Sequence, residues 1–175
     1  ASQTTTLNAG LLEPQSVAFN PTDPSNSTLY VANSYAKQVV TLASSGGAAT
    51  PWNTANTGNF VYPLDIVFDA FGNLVVADYN AAKVFSFNQA LTETTISTGT
   101  ITVGAPGATK VDLAGDLFIA DDGNTPQIVM IPGETFDTVY KPSVLLTGPN
   151  VSYPQALAVD NTGANLYIGD GDLNT

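Results

Sequence analysis

The chain has no histidine and no cysteine, so imidazole and thiol chemistry are absent, and its 15 carboxylates and 7 tyrosines are the first candidates for a site. A Ser-His-Asp or Cys-His relay cannot be assembled from it, nor a zinc site of the usual histidine type. Many of the remaining candidates fall in short runs: Asn33-Ser34-Tyr35, Asp78-Tyr79-Asn80, Asp121-Asp122-Gly123-Asn124 and Asp170-Gly171-Asp172, with Tyr62 and Tyr153 between them. In "GDGDLNT", Asp170, Asp172 and Asn174 alternate as do the first ligands of a D-x-D-x-N calcium loop, without the later Gly and the bidentate Glu. These three are the candidate calcium ligands, and no other cofactor is expected. A plainer role competes for Asn33, Asp78, Asp121 and Asp170: Asp or Asn opening a turn accepts hydrogen bonds from backbone amides two residues on.

The runs recur because the chain repeats. Pro63 to Phe85, "PLDIVFDAFGNLVVADYNAAKVF", aligns with Pro14 to Val40, "PQSVAFNPTDPSNSTLYVANSYAKQVV", and with "PQALAVDNTGANLYIGDGDLNT" from Pro154. "PGATKVDLAGDLFIADDGNTPQIVMI" from Pro106 is a further copy. In each copy Pro opens a short apolar strand, a turn follows, and a second strand ends at Ala32, Ala77, Ala120 or Gly169, spaced by 45, 43 and 49 residues. "DIVFD", "NLVVAD", "AKVFSF" and the Thr-rich "TTISTGTITV" are β-branched or apolar runs parted by turn residues. "DAFGNL", "DLAGDL" and "DNTGANL" place Gly where a tight hairpin needs positive φ. No segment sustains apolar residues at helical spacing. Four short strands in a period of this size predict an all-β protein, a β-propeller of four-stranded blades. A lone blade has apolar residues on both faces, so burial forces the units to stack.

At these residues the chain resembles the NHL-repeat family of β-propellers, whose pattern runs Pro-x-Gly-Val-Ala-Val-Asp, then Gly-Asn-Leu-Tyr-Val-Ala-Asp, then Asn-x-Arg-Val. "GNLVVADYNAAKV" and "PQALAVDNTGANLYIGD" are the best copies. Ser16, Asp65 and Ala156 stand where the pattern has Gly, and Lys37, Lys83 and Gln127 where it has Arg. The resemblance implies that the turn after each second strand shares a rim with the connections between blades. That rim would gather Tyr35, Tyr62, Asp78, Tyr79, Asp121, Asp122 and Tyr153, a set suited to protein, peptide or carbohydrate. Related propellers include a zinc-dependent amidating lyase and the streptogramin lyase, whose chemistry rests on histidines that this chain lacks. Gluconolactonase-like propellers hold a divalent cation on a central Glu, Asn and Asp set. Of Glu13, Glu93 and Glu134, Glu13 comes closest to the start of an inner strand.

The expected organisation is a single propeller segment over residues 1–175. Residues 1–12 form the outer strand of a preceding blade, 13–61, 62–104 and 105–152 form blades, and 153–175 a partial blade. Three complete blades with partial ones at both ends fit part of a larger ring. A four-bladed closure and partial rings paired from two chains are the alternatives. The partners would then include other blades of the same protein or another copy.

Only 11% of residues are charged, the basic ones are Lys37, Lys83, Lys110 and Lys141, and the net charge is −11. Such a surface repels phosphate backbones, so no nucleic-acid binding is expected. No apolar run approaches the eighteen or so residues that span a bilayer, so no membrane insertion is expected either. The Thr, Ser, Asn and Gly content fits a secreted or cell-surface protein. Asn26-Ser27-Thr28 and Asn150-Val151-Ser152 match the glycosylation acceptor pattern. The start "ASQTTTLNAG" fits signal-peptide removal and simple trimming equally. The functional expectation is a non-catalytic binding or structural scaffold, with a metal-dependent lactonase-like hydrolase as the alternative.

Overall fold

The computed structural model describes residues 10–52, 60–90, 92–96, 100–133 and 142–172. Fourteen strands occupy them: β1 (Pro14–Phe19), β2 (Thr28–Asn33), β3 (Gln38–Ala43), β4 (Thr50–Pro51), β5 (Pro63–Phe68), β6 (Leu74–Asp78), β7 (Lys83–Phe87), β8 (Glu93–Thr95), β9 (Pro106–Val111), β10 (Leu117–Asp121), β11 (Gln127–Ile131), β12 (Ser143–Thr147), β13 (Pro154–Val159) and β14 (Leu166–Asp170). They form antiparallel sheets ordered β1-β2-β3-β4, β5-β6-β7-β8 and β9-β10-β11-β12, with β13 paired to β14 in a fourth. The helical content of the described residues is one 3-10 turn, Gly148–Asn150, and no helix among them is long and apolar enough to cross a membrane. The outer strand expected over residues 1–12 falls largely on residues 1–9, outside the described residues. Leu11 packs on the first sheet with Val31, Val40 and Leu42.

Each first strand begins with Pro, which has no N–H to give to a ladder and is tolerated at a strand's first position. One residue on, the register slips: Gln15, Leu64, Gly107 and Gln155 are skipped in the pairing. Such a bulge bends the strand and re-aims a side chain. The hairpins that follow turn at Gly72, Gly115 and Gly163, with φ of +81°, +88° and +74°. In these turns Asp69, Asp112 and Asp160 accept amides two residues on, from Phe71, Ala114 and Thr162.

Innermost strands β1, β5, β9 and β13 lie side by side in chain order around a channel, and the blades stack face to face behind them. The seam between the first two sheets is aromatic: Phe60, Phe85 and Phe87 are buried with Tyr30, Trp52 and Phe68 packed on them, largely edge to face. The next seam is aliphatic, with Val75, Val84, Leu117, Ile119, Val129 and Ile131 buried together. Ala108, Ala120, Ile128 and Val151 form the third. β6 (LVVAD) and β10 (LFIAD) are buried at every position because both of their faces meet another blade.

Candidate binding site at the mouth of the channel

The side chain closing each second strand reaches back to the segment that precedes the blade's own first strand. Asp78 accepts the amides of Val61 and Tyr62 at 2.7 and 2.8 Å. Asp121 accepts those of Gly104 and Ala105 at 3.0 and 2.7 Å, and Asp170 those of Ser152 and Tyr153 at 2.7 and 3.1 Å. Asn33 does half of this, accepting Leu12 N–H at 2.6 Å while its amide donates to the Gly10 carbonyl. These residues clamp the inter-blade connection at one end of the channel. Of the amide bonds expected from two residues on, those of Gly123 to Asp121 and Asp172 to Asp170 form at 3.2 and 3.1 Å. Asp78 instead receives Ala81 from three residues on at 3.1 Å, and at Asn33 the amide two residues on, Tyr35 N–H, donates to the Leu12 carbonyl.

A second repeated bond sits beside each clamp. The amide of the residue after the clamp donates to the carbonyl of the residue before Pro: Ser34 to Glu13, Tyr79 to Tyr62, Asp122 to Ala105 and Gly171 to Tyr153, at 2.9 to 3.2 Å. Two positions per blade are thereby fixed at this end of the channel, and they vary; Tyr62, Tyr79, Asp122 and Tyr153 among them line the cavity, whereas Ser34 is buried. The blades present Glu13 with Ser34, Tyr62 with Tyr79, Ala105 with Asp122, and Tyr153 with Gly171. Glycine at 171 leaves room for the Tyr153 ring, since a Cβ there would lie 2.8 Å from its Cδ1.

The mouth residues meet across blades. The Tyr62 hydroxyl donates to Glu13 Oε1 at 2.7 Å, the Tyr79 hydroxyl to Asp122 Oδ2 at 3.3 Å, and the Ser34 hydroxyl to the Pro63 carbonyl at 2.5 Å. Burial pushes the Asp122 carboxyl above its usual range against the pull of the Tyr79 bond, and the charges of Asp121, Asp172 and Asp170 add to the rise. Tyr79 is raised by burial and then by the charge of Asp122. Tyr62 is raised first by its bond to Glu13. Tyr62, Tyr79, Asp122 and Tyr153 line the opening of a cavity of about 960 Å³ that runs down the channel.

The channel wall holds a carboxylate that the sequence did not single out for a site. Asp65 on β5 accepts the Ser16 hydroxyl from β1 at 2.6 Å and both the amide and hydroxyl of Thr109 from β9 at 2.6 and 2.9 Å. It laces three inner strands together. Ser16 Oγ also accepts Ile66 N–H at 3.3 Å. An inner strand has an unpaired edge facing the channel, and these side chains satisfy amides along it. Ala108 and Ala156 occupy the same repeat position in the later blades, where no such oxygen exists.

The expected rim residues therefore separate. Tyr62, Tyr79, Asp122 and Tyr153 come together. Tyr35 is 71% exposed and is not among the cavity walls. Asp78 and Asp121 are 0% and 1% exposed, with their oxygens turned onto amides. Of the candidate calcium ligands, Asp170 has both oxygens on amides, Asp172 is exposed with Ser152 Oγ at 3.4 Å, and Asn174 lies outside the described residues. Among the described residues no three acidic side chains converge as metal ligands would. Glu93 lies on outer strand β8, and Glu134 is outside the described residues.

No protein-family model and no curated protein matches the chain. Solved structures do. One whose gluconolactonase assignment is provisional superposes with a TM-score of 0.75 at 12% identity, over 95% of this chain and 59% of its own. The nidogen/laminin complex gives 0.73 at 16%, over 90% and 56%, and a streptogramin B lyase 0.66 at 15%, over 94% and 50%. Together with the stacked four-stranded sheets, these define the protein as a β-propeller. At such identities the likeness carries the fold alone, and the chain spans about half the length of the structures it matches.

Proposed function

We propose that this chain is a non-catalytic binding scaffold built of NHL-like blades, from a secreted or cell-surface protein, which takes a peptide or carbohydrate at the tyrosine-lined mouth of its channel. The observation behind it is the division between neighbouring positions: the repeated clamp residues are engaged by backbone, while Tyr62, Tyr79, Asp122 and Tyr153 face a cavity. Tyrosines offer an apolar face and a polar tip, which suits sugars and peptides alike. Asn26 and Asn150, in the two acceptor motifs, are both exposed, as glycosylation requires. Screening peptide and glycan arrays with the wild-type protein, Tyr79→Ala and Tyr153→Ala tests the reading. Hits should weaken about tenfold or more in both variants, as loss of an anchoring aromatic does. Hits indifferent to both would refute it.

The lactonase-like alternative draws on the gluconolactonase-assigned structure and needs a channel carboxylate free to hold a cation. Asp65 is the carboxylate midway along the channel wall, and Ser16 and Thr109 already occupy both of its oxygens. Millimolar calcium or zinc should leave the thermal melt unchanged. A saturable rise at micromolar metal, of the roughly 2.7 kcal/mol expected at one hundred times the dissociation constant, would put the hydrolase ahead. The outward faces of the first and last sheets are open, with Val17 and Tyr167 each 59% exposed. Further blades of the same protein would cover them, as apolar patches of this kind usually mark contact surfaces. Light scattering of this chain alone separates that from pairing with a second copy.

A further inference from the structure

We propose that the mouth recognises a positively charged peptide segment, with a lysine or arginine head group on the Asp122 carboxylate and its stem against the rings of Tyr79 and Tyr153. This deepens the binding reading above and rests on it. Asp122 is half-buried at the cavity opening, and its hydrogen bond, from the Tyr79 hydroxyl, is long at 3.3 Å. A carboxylate with this one weak partner in a partly desolvated site gains most from a charge-assisted bond. Burial first, and then the neighbouring charges of Asp121, Asp172 and Asp170, disfavour its ionised form, so a cation both compensates the lost hydration and relieves a repulsion already in place.

The walls fit the same ligand. Aromatic faces within about 6 Å attract ammonium and guanidinium groups and also cover their aliphatic stems. Lys110, the lysine lining this cavity, stands four residues beyond Pro106 on β9, about 13 Å down the channel at strand rise, and so does not neutralise the mouth. Gln15 and Gln155, the skipped residues of β1 and β13, are exposed on the same wall and offer carboxamides to a main chain. The volume of about 960 Å³ exceeds what a small amine fills and suits a side chain with its flanking backbone.

The test is fluorescence anisotropy with a labelled tri-lysine peptide, against tri-glutamate and glycine-serine peptides, at about 150 mM salt where long-range attraction is screened. Asp122→Asn should weaken tri-lysine binding about tenfold, as removal of a paired interface charge does. Asp160→Asn, which removes the same charge in the β13–β14 hairpin away from the cavity lining, should weaken it less than about twofold. Equal losses in the two variants would mean the net charge of −11 binds the peptide without a site, and would overturn the proposal. So would absence of tri-lysine binding, or binding that leaves the NMR amide signals of Tyr79 and Tyr153 unmoved. Should a neutral array hit shift those amides while tri-lysine does not, the mouth remains a binding site and the cationic ligand is refuted. Should neither shift them, both readings fall.

Discussion

Asp121 and Asp122 are adjacent in the chain and belong to different layers of the molecule. The first is 1% exposed and receives the amides of Gly104, Ala105 and Gly123 and the carboxamide of Gln127. The second, at the channel mouth, receives the Tyr79 hydroxyl at 3.3 Å. The clamp layer of Asn33, Asp78, Asp121 and Asp170 repeats in every unit because each blade must tie down the connection that enters it. The position one residue on holds Ser34, Tyr79, Asp122 and Gly171 and repeats nothing; Tyr79 and Asp122 line the cavity, while Ser34 is buried with its hydroxyl on the Pro63 carbonyl. Invariance within the molecule thus follows the backbone's needs, and variation marks the surface that is free to recognise something.

The largest effect should come from breaking the clamp. Asp121→Ala leaves buried amides without an acceptor, at about 1–3 kcal/mol for each that water cannot reach, so a total loss of about 3 kcal/mol is expected in urea unfolding. Asp122→Ala should stay within about 0.5 kcal/mol, as surface changes do. If the two losses were alike, the distinction between layers would collapse. Asp65→Ala sharpens the comparison, because Asp65 faces the channel yet is bonded like a clamp. It should cost about 1–2 kcal/mol, between the two extremes, and Ser16→Ala less. Tyr62→Phe removes one exposed hydroxyl contact with Glu13 and should fall below about 0.5 kcal/mol in the same assay.

Acid separates the mouth from the β13–β14 hairpin more subtly. Asp160, in the β13–β14 hairpin, is lowered to about 2 by bonds from the Asn165 and Thr162 side chains. Its folded value lies below the unfolded one, so its contribution is present above about pH 4 and is lost as pH falls toward 2. Asp122 is raised, which has the opposite sign: its charge is easier to carry in the unfolded chain, so relative stability falls as pH rises through its folded value. Asp122→Asn should therefore be slightly more stable than wild type at neutral pH and equal to it near pH 3, while Asp160→Asn should blunt the acid loss. Carboxyl NMR titration together with melts across that range checks both signs.

The repeat was legible in the sequence because its signals are local. Pro opens each first strand, Gly72, Gly115 and Gly163 turn three of the four hairpins that follow, and β-branched runs fill the seams. The clamp residues were recognisable as structural, since Asx turns act over two residues. Their principal partners lie 16 to 21 residues upstream, across a connection whose return path no local pattern encodes. Asp65 stood out as a departure from the repeat but not as a lace between β1 and β9, because its partners are 49 and 44 residues away. Tyr35 stands two residues past its clamp and Tyr79 one residue past, and only the packed sheets show that the latter place lines the cavity while the former faces solvent.

By itself, then, the amino-acid sequence determined the blade: strand lengths, turn types and the period of the clamp follow from backbone preference and burial within some forty-five residues. Only the tertiary structure decided the site. Tyr62, Tyr79, Asp122 and Tyr153 come from three units and meet because stacking the sheets on their apolar faces brings the ends of the inner strands around one channel. That convergence depends on the twist and spacing of whole sheets, a sum over many packed side chains, which no stretch of chain carries alone.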